Sequence, residues 1–250
     1  MATENSPRRR ILVTGGTTGI GRATANAFLD VGDEVVVTGK DGDRLRRAAD
    51  LGRGVHLVLA DQAVINDLDR LAHEVRERLG GLDVLVANAG ISRSALLDEV
   101  TPESFDEEVA VNFRGTFFTV QRLAPLLADG AAVVLVSSCL DQRGALGQSV
   151  YAATKAAVGS LTRSFAAELK DRGIRVNSVA PGPTATPMFD KYGIEPDKLS
   201  VMQAVIARDV PLRRLASPAE IASVITFLSS PAAAYITAEQ VTADGGWTRM

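Results

Sequence analysis

Tyr151 and Lys155 stand four residues apart and form the pair in this sequence best suited to proton transfer. Four residues are about one helical turn, so both side chains lie on one face. The same stripe continues through four further residues: Val158, Thr162, Phe165 and Leu169. A lysine ordinarily avoids so apolar a stripe, and an ammonium beside a phenol lowers its pKa from about 10. The spacing therefore indicates a tyrosine tuned for proton exchange; the alternative is an amphipathic tyrosine beside a lysine that reaches solvent.

Ser138 is a third candidate residue for the same site as Tyr151 and Lys155. It lies thirteen residues before Tyr151 and two residues after the apolar run Ala132 to Val136, which predicts a buried strand. Open α/β sheets bind their ligands at the carboxyl ends of the strands. A hydroxyl at this position is therefore a candidate for contact with a substrate.

The glycine-rich segment TGGTTGIG, Thr14 to Gly21, follows the first predicted strand and precedes a predicted helix. Glycines let a backbone approach a pyrophosphate closely, and a helix N-terminus offers free N–H groups to its charge. The spacing matches neither G-x-G-x-x-G nor a P-loop, because Arg22 and Ala23 replace the required Lys and Ser or Thr. The segment predicts a phosphate-binding turn; the alternative is a plain tight turn.

Gly39 and Lys40 bear on the choice of cofactor. Dinucleotide-binding folds often carry an acidic residue about 20 positions after the glycines, which binds the ribose hydroxyls of NAD. That position is Gly39, and the next residue, Lys40, can pair with the 2′-phosphate of NADP. The alternative is a solvated lysine whose field Asp41 and Asp43 weaken. The pattern favours NADP over NAD.

Short apolar runs that alternate with helical segments must position these residues. The runs are Ile11 to Val13, Val35 to Val37, Val55 to Leu59, Val84 to Val86, Ala132 to Val136, Val176 to Val179 and one around Val241. Between them, helical spacing covers Ile20 to Val31, Val64 to Leu79, Pro102 to Leu127 and Tyr151 to Leu169. This alternation predicts an α/β fold, a doubly wound parallel sheet with helices on both faces. We expect a flexible tail over residues 1–9, a single domain over 10–250, and a substrate lid in the loop Pro181 to Pro196.

Composition excludes several classes of function. Lys plus Arg total 27 and Asp plus Glu total 30, so the net charge of −3 gives no attraction to nucleic acid. Apolar runs such as Ala131 to Val136 fall far short of the ~20 residues that span a bilayer, and no secretory signal is expected at the start. Cys139 is the single cysteine, which fits a reducing cytoplasm. With only two histidines besides, we expect no metal site of the Cys and His type.

From Ile11 to Gly246 the chain resembles the short-chain dehydrogenase/reductase family in its single-domain form. The motifs that carry the resemblance are TGGTTGIG, Asp61 after the third strand, Asn88-Ala89-Gly90, Asn112 in VNFRGTF, Ser138 with Tyr151 and Lys155, Pro181-Gly182 with Thr186, and Asp244-Gly245-Gly246. Ala87 stands where the family commonly has another Asn. Each pattern is short, but seven in the right order and spacing are specific. Spacing to Tyr151 favours Ser138 over its neighbour Ser137 as the family's serine.

The resemblance implies a Rossmann-type domain that transfers hydride between NAD(P) and a carbonyl or secondary alcohol. Tyr151 would be the general acid in reduction, and Ser138 would hydrogen-bond the substrate oxygen. Lys155 would lower the pKa of Tyr151 and hold the nicotinamide ribose, and Asn112 would anchor a water that relays protons. Besides Lys40, Tyr151 and Lys155, cofactor contacts would come from Thr14, Gly15, Thr17, Gly19, Ile20, Gly21, Asp61, Gln62, Asn88, Ala89, Gly90, Pro181, Gly182, Thr184 and Thr186.

Two further expectations concern subtype and assembly. Gln148 in GQSVYAATKAA resembles the sequence before the tyrosine in 3-oxoacyl-[acyl carrier protein] reductases, a motif that other reductases share. The resemblance also implies a homo-oligomer, a tetramer. The small residues Ala153, Ala156, Ala157 and Ser160 would allow close helix contacts in it; the alternative is helix packing within the monomer. A different class, a nucleotide-sensing protein without catalysis, would have lost the tyrosine, lysine or serine, and none is lost. No G-x-S-x-G elbow supports a hydrolase.

Overall fold

The computed structural model describes residues 8–189 and 195–250. In this part of the chain, one sheet contains seven parallel strands: β1 Arg10–Val13, β2 Glu34–Gly39, β3 Val55–Leu59, β4 Leu82–Ala87, β5 Leu127–Val136, β6 Arg175–Pro181 and β7 Gln240–Ala243. Their order across the sheet is β3-β2-β1-β4-β5-β6-β7. The chain crosses from one edge strand, β3, to β4 beside β1, which creates the switch point where such sheets bind ligands. The predicted doubly wound fold is confirmed.

The helices cover both faces of the sheet. They are α1 Gly19–Leu29, α2 Gly42–Arg47, α3 Ile65–Leu79, α4 Pro102–Glu108, α5 Thr116–Leu123, α6 Ser149–Leu169, α7 Pro196–Asp209 and α8 Pro218–Leu228. Within the described residues, no helix has both the length and the apolar character needed to cross a membrane.

Successive residues of the strands pack into two apolar cores, one on each face of the sheet. Leu12 packs in a cluster with side chains of α3, α5 and α6, whereas its neighbours Ile11 and Val13 pack with α1 and α8 on the opposite face. Side chains of a strand alternate between faces, so a strand that is apolar at every position must be covered on both sides. This explains why the predicted runs contain almost no polar residue.

The segment Pro102 to Leu127, predicted as one helix, is interrupted. A π-helical stretch, Val109–Gly115, separates α4 from α5, and a 3₁₀ turn at Ala124–Leu126 ends the second helix. Pro125 explains that end, because proline cannot continue a helix's hydrogen bonding. Strand β5 then begins at Leu127, five residues before the predicted start at Ala132.

The predicted tail and lid lie partly outside the described residues, which exclude residues 1–7 and 190–194. Arg9 is attached to the domain: its guanidinium pairs with Asp33 and stacks over the ring of Phe28 at 5.3 Å. The described chain resumes at residue 195, and Pro196 opens α7.

Candidate functional site

The predicted site residues meet at one edge of the sheet. Thr14, Lys40, Asn88 and Ser138 each follow the carboxyl end of a strand at an interval of one or two residues. Because all the strands are parallel, these ends lie on the same side. The fold thus brings together residues that lie up to 124 positions apart in sequence.

Thr14 and Asn88 fix the glycine-rich loop. The Thr14 hydroxyl accepts hydrogen bonds from the backbone N–H groups of Asn88 and Ala89, both at 3.0 Å. The Asn88 amide in turn donates to the carbonyls of Thr14 and Gly15, at 2.9 and 3.2 Å. Both amide hydrogens are used within the protein, so the role that Asn88 plays here is to shape the loop.

Glycine is required in this loop for two physical reasons. A Cβ at Gly21 would lie 2.4 Å from Nδ2 of Asn88, closer than any real contact, and Gly15 has a φ of +63°. The loop therefore lies directly against the start of α1. The N-cap of that helix, Thr18, makes no side-chain hydrogen bond to it, so no side chain of the cap satisfies the N–H groups of the first turn. This donor set fits the pyrophosphate of a dinucleotide.

The segments after β6 and β7 close the other side of the loop. A Cβ at Gly19 would lie 3.2 Å from Cγ2 of Thr186, and a Cβ at Gly182 would lie 2.5 Å from Cα of Asp244. Thr184, which is buried, donates its hydroxyl to the carbonyl of Gly182 at 2.9 Å. The predicted PGxxxT and DGG segments are therefore packed on each other and reach the glycine-rich loop.

At the ends of β2 and β3, Lys40 and Asp61 face each other. Nζ of Lys40 lies 4.0 Å from Oδ2 of Asp61, and the lysine side chain is 54% exposed. The neighbour of Asp61, Gln62, is buried and donates its amide hydrogens to the carbonyls of Ala89 and Val111, at 2.9 and 2.7 Å. Lys40 and Asp61 thus present charge at the surface, while the Gln62 amide joins loops.

Lys155 is the buried cation of the site. Only 3% of it is exposed, and its ammonium donates a hydrogen bond of 2.8 Å to the carbonyl of Val136, two residues before Ser138. It lies 5.8 Å from the centre of the Tyr151 ring, and a Cβ on Gly90 would come within 3.2 Å of it. Burial lowers the pKa of Lys155 to about 8. The predicted stripe is thus real, and it includes a buried lysine with no ion pair among the described residues.

The two neighbouring serines point to different places. The Ser137 hydroxyl donates to the carbonyl of Val179 in β6 at 3.0 Å and so bonds within the sheet. The Ser138 oxygen accepts a bond from the N–H of Leu140 at 3.3 Å, which leaves its proton to be donated elsewhere. Ser138 is thus the better placed of the two for a substrate oxygen, in agreement with the spacing.

Asn112 lies in the π-helical stretch and is fully buried. Its amide accepts from the N–H of Ile91 at 2.8 Å and donates to the carbonyl of Ile91 and the hydroxyl of Thr154, at 2.8 and 3.1 Å. Both amide hydrogens are therefore committed within the protein. A water at Asn112 can bind only to an acceptor, either the amide oxygen or the backbone carbonyl, which already accepts from Thr116 at 2.7 Å.

Sequence reasoning missed the buried groups that hold the loop after β4. Ser92 donates to Gln148 at 2.9 Å, and the N–H of Arg93 donates to the Glu108 carboxylate at 2.5 Å. Burial raises the pKa of Glu108. With Asn112 on Ile91, three successive loop residues are each held by a buried polar side chain. No local pattern predicts that Glu108 is buried, because the acidic run Asp106 to Glu108 is typical of a solvated helix face.

Comparison with known proteins places this arrangement among oxidoreductases. A family model described as enoyl-(acyl carrier protein) reductase matches residues 15–248. The 3-oxoacyl-[acyl-carrier-protein] reductase of Thermotoga maritima is 37% identical over 242 residues, which cover 94% of this chain and 96% of that protein.

Solved structures of named reductases share the fold of this chain. Levodione reductase superposes with a TM-score of 0.91 at 30% identity, covering 96% of this chain and 97% of that one. A 3-ketoacyl-(acyl-carrier-protein) reductase from Brucella melitensis, complexed with NADH, gives a TM-score of 0.86 at 30% identity, covering 95% and 97% of the two chains.

Proposed function

This chain belongs to the short-chain dehydrogenase/reductase family and is an NAD(P)-dependent oxidoreductase, and we propose that it reduces ketones with NADPH, with Tyr151 as the proton donor. The observation that carries the proposal is Lys155. It is a buried ammonium, no carboxylate among the described residues pairs with it, and it lies one turn from a buried tyrosine. Burying an unpaired cation is costly, so its retention at this place supports a role in the chemistry.

Four residues divide the work of proton transfer. The cofactor, when bound, supplies the hydride. Ser138 donates its hydroxyl proton in a hydrogen bond to the substrate oxygen, which places that oxygen beside Tyr151. Tyr151 gives its proton to the oxygen as negative charge develops there. Lys155 stabilises the resulting phenolate electrostatically, and Asn112 supplies acceptor oxygens for a water that returns the proton.

The nucleotide is held by backbone more than by side chains. We assign the pyrophosphate to Gly15, Gly19, Ile20 and the turn around Thr17, where α1 presents its N–H groups. Lys155 uses one of its three protons on Val136 and has two left for ribose hydroxyls. Lys40 would meet the 2′-phosphate of NADP, since β2 ends at Gly39 and the residue that directly follows it is a lysine and not a carboxylate.

The substrate class has one favoured subtype. The relatives from Thermotoga maritima and Brucella melitensis are named as 3-oxoacyl- and 3-ketoacyl-(acyl-carrier-protein) reductases. The segment GQSVYAATKAA, with Gln148 before Tyr151, resembles the sequence of such enzymes. We therefore propose a 3-oxoacyl thioester as the first substrate to test. Levodione reductase has the same fold but is named for a different substrate, so the fold alone does not select the thioester. The comparisons do not favour a protein without catalysis.

Assembly and location are part of the proposal. Ala153, Ala156 and Ser160 are exposed along α6 in the described chain, so the small side chains predicted for a helix contact between copies are accessible. We expect a tetramer, and sedimentation as a monomer at micromolar concentration would contradict it. The cytoplasmic location expected from the single cysteine stays a prediction.

The test is NADPH oxidation with a panel of carbonyl substrates that includes a 3-oxoacyl thioester. Tyr151→Phe should lower kcat by at least two powers of ten and leave NADPH binding nearly unchanged, because only the proton donor is removed. Tyr235→Phe is the matched control, since Tyr235 is fully exposed. If Tyr151→Phe kept more than about a tenth of the wild-type kcat, the assigned role would be wrong.

A further inference from the structure

Three residues from distant segments form a closed cycle of contacts beside the site. Arg143, Asp209 and Trp247 lie in the loop after β5, at the last position of α7 and in the segment after β7. Oδ2 of Asp209 accepts from Arg143 and from the indole Nε1 of Trp247, both at 2.6 Å. Arg143 also donates to the backbone carbonyl of Trp247 at 2.7 Å, and its guanidinium lies 4.4 Å from the centre of the indole ring.

Helix α7 packs loosely against the rest of the described chain, apart from this cycle at its end. None of its described side chains is fully buried, and Val201 and Val205 are 63% and 59% exposed. The firm contact comes just after its end, where Val210 is buried and a Cβ on Gly245 would lie 2.8 Å from it. The helix is therefore held at its C-terminal end, and the cycle is the polar part of that hold.

Arg143, one of the two residues that donate to Asp209, belongs to the segment between Ser138 and Tyr151, which we call the catalytic loop. Arg143 lies five residues after Ser138 and eight before Tyr151, in the segment that connects the two. One carboxylate therefore links the end of α7 to this segment. Without that link, the half-buried face of α7, which includes Met202 and Ile206, would shift relative to the carboxyl edge of the sheet.

We propose that Asp209 is a positioning residue: by joining Arg143 to Trp247 it holds α7 against the catalytic loop, and so it sets the affinity for the carbonyl substrate without acting on the chemical step. The effect on substrate affinity rests on the proposed reductase function. The contact among Arg143, Asp209 and Trp247 does not depend on that function, and it can be measured without a substrate.

Trp247 provides that measurement, because it is the only tryptophan in the sequence. In wild type the indole is half-buried under Arg143. Asp209→Asn keeps the shape of the side chain but removes the negative charge to which both Arg143 and the indole N–H donate. We expect the acrylamide quenching constant of Trp247 fluorescence to rise about two- to threefold, since the ring becomes accessible when charged hydrogen bonds of this kind are lost. Asp209→Glu, which keeps the charge, should restore part of the protection.

The kinetic arm uses the best carbonyl substrate of the panel. Asp209→Asn should raise its KM about five- to tenfold, with kcat at saturation and the Kd for NADPH within a factor of two of wild type. The matched control is Asp197→Asn, the same charge change in the first turn of α7, where no described side-chain bond is lost. It should alter neither quenching nor KM.

The outcomes separate the two proposals. If wild type reduces no carbonyl but Asp209→Asn still exposes Trp247, the contact stands and the proposed function has failed. If quenching is unchanged in Asp209→Asn, the inference is wrong whatever the kinetics show. If quenching rises but KM does not, the contact exists without positioning the substrate, which also overturns the proposal.

Discussion

Lys40→Ala should reduce the preference for NADPH over NADH by about fivefold. A well-made charge-assisted bond to a phosphate contributes about 1.5 to 3 kcal/mol, and an exposed ion pair about 0 to 1. The structure moves Lys40 toward the lower figure, because its side chain is 54% exposed and Asp61 lies 4.0 Å away as a competing anion. We therefore take about 1 kcal/mol, which corresponds to about a fivefold ratio at 1.4 kcal/mol per decade.

The assay is kcat/KM for NADPH and for NADH at a fixed concentration of one carbonyl substrate. Arg46→Ala is the matched control, because this substitution also removes one positive charge. Arg46 is an exposed residue of α2 that pairs with Asp43. The effect of Lys40→Ala should also shrink at high salt, since an exposed pair is screened. Asp61→Asn should act in the opposite sense and strengthen the preference for NADPH by freeing the lysine.

Gly39→Asp is the less direct variant, although a carboxylate there would repel the 2′-phosphate and bind the ribose of NAD. A Cβ at Gly39 would lie 2.8 Å from Cγ2 of Thr17, in the glycine-rich loop itself. The substitution must displace Thr17, so binding of both cofactors should weaken while the ratio turns toward NADH. A wild-type enzyme that prefers NADH, or an unchanged ratio in Lys40→Ala, would refute the assignment of Lys40.

Three further outcomes follow from the buried groups. Lys155→Met should lower kcat by at least two powers of ten and also weaken NADPH binding measured by calorimetry, because one ammonium serves phenol and ribose; a loss confined to kcat would show that the ribose contact is misplaced. In the cofactor-free protein the pKa of Lys155 is about 8, below its ordinary 10.5, so the unfolded chain binds more protons between these values. The free energy of unfolding in urea should therefore rise from pH 8 to about 10.5, by at most about 3 kcal/mol, and this rise should be missing from Lys155→Met. Gly21→Ala should cost about 1 to 3 kcal/mol of stability and most of the cofactor affinity, since its Cβ would meet Asn88 at 2.4 Å, whereas Gly144→Ala, with nothing within 4 Å, should change neither the thermal midpoint nor the Kd.

The sequence by itself determined the order of the elements and the position of the motifs, and it predicts Tyr151 and Lys155 as the proton-transferring pair. Strands buried on both faces need continuous apolar runs, and a turn that approaches a phosphate needs glycine, so both are visible locally. The stripe through Tyr151 and Lys155 is visible for the same reason, since helical neighbours are three and four residues apart. Boundaries were less exact: Pro125 and the π-helical stretch divide a segment whose periodicity predicts one helix.

Only the tertiary structure decided how the side chains are used. Asn112 is tied to Ile91 across 21 residues, Glu108 to Arg93 across 15, and Arg143 to Trp247 across 104. These bonds form because parallel strands bring their carboxyl ends to one edge, and no local spacing encodes which loops then touch. The same holds for Lys40, whose charge the sequence shows but whose strength depends on Asp61, a residue placed beside it by the pairing of β2 with β3.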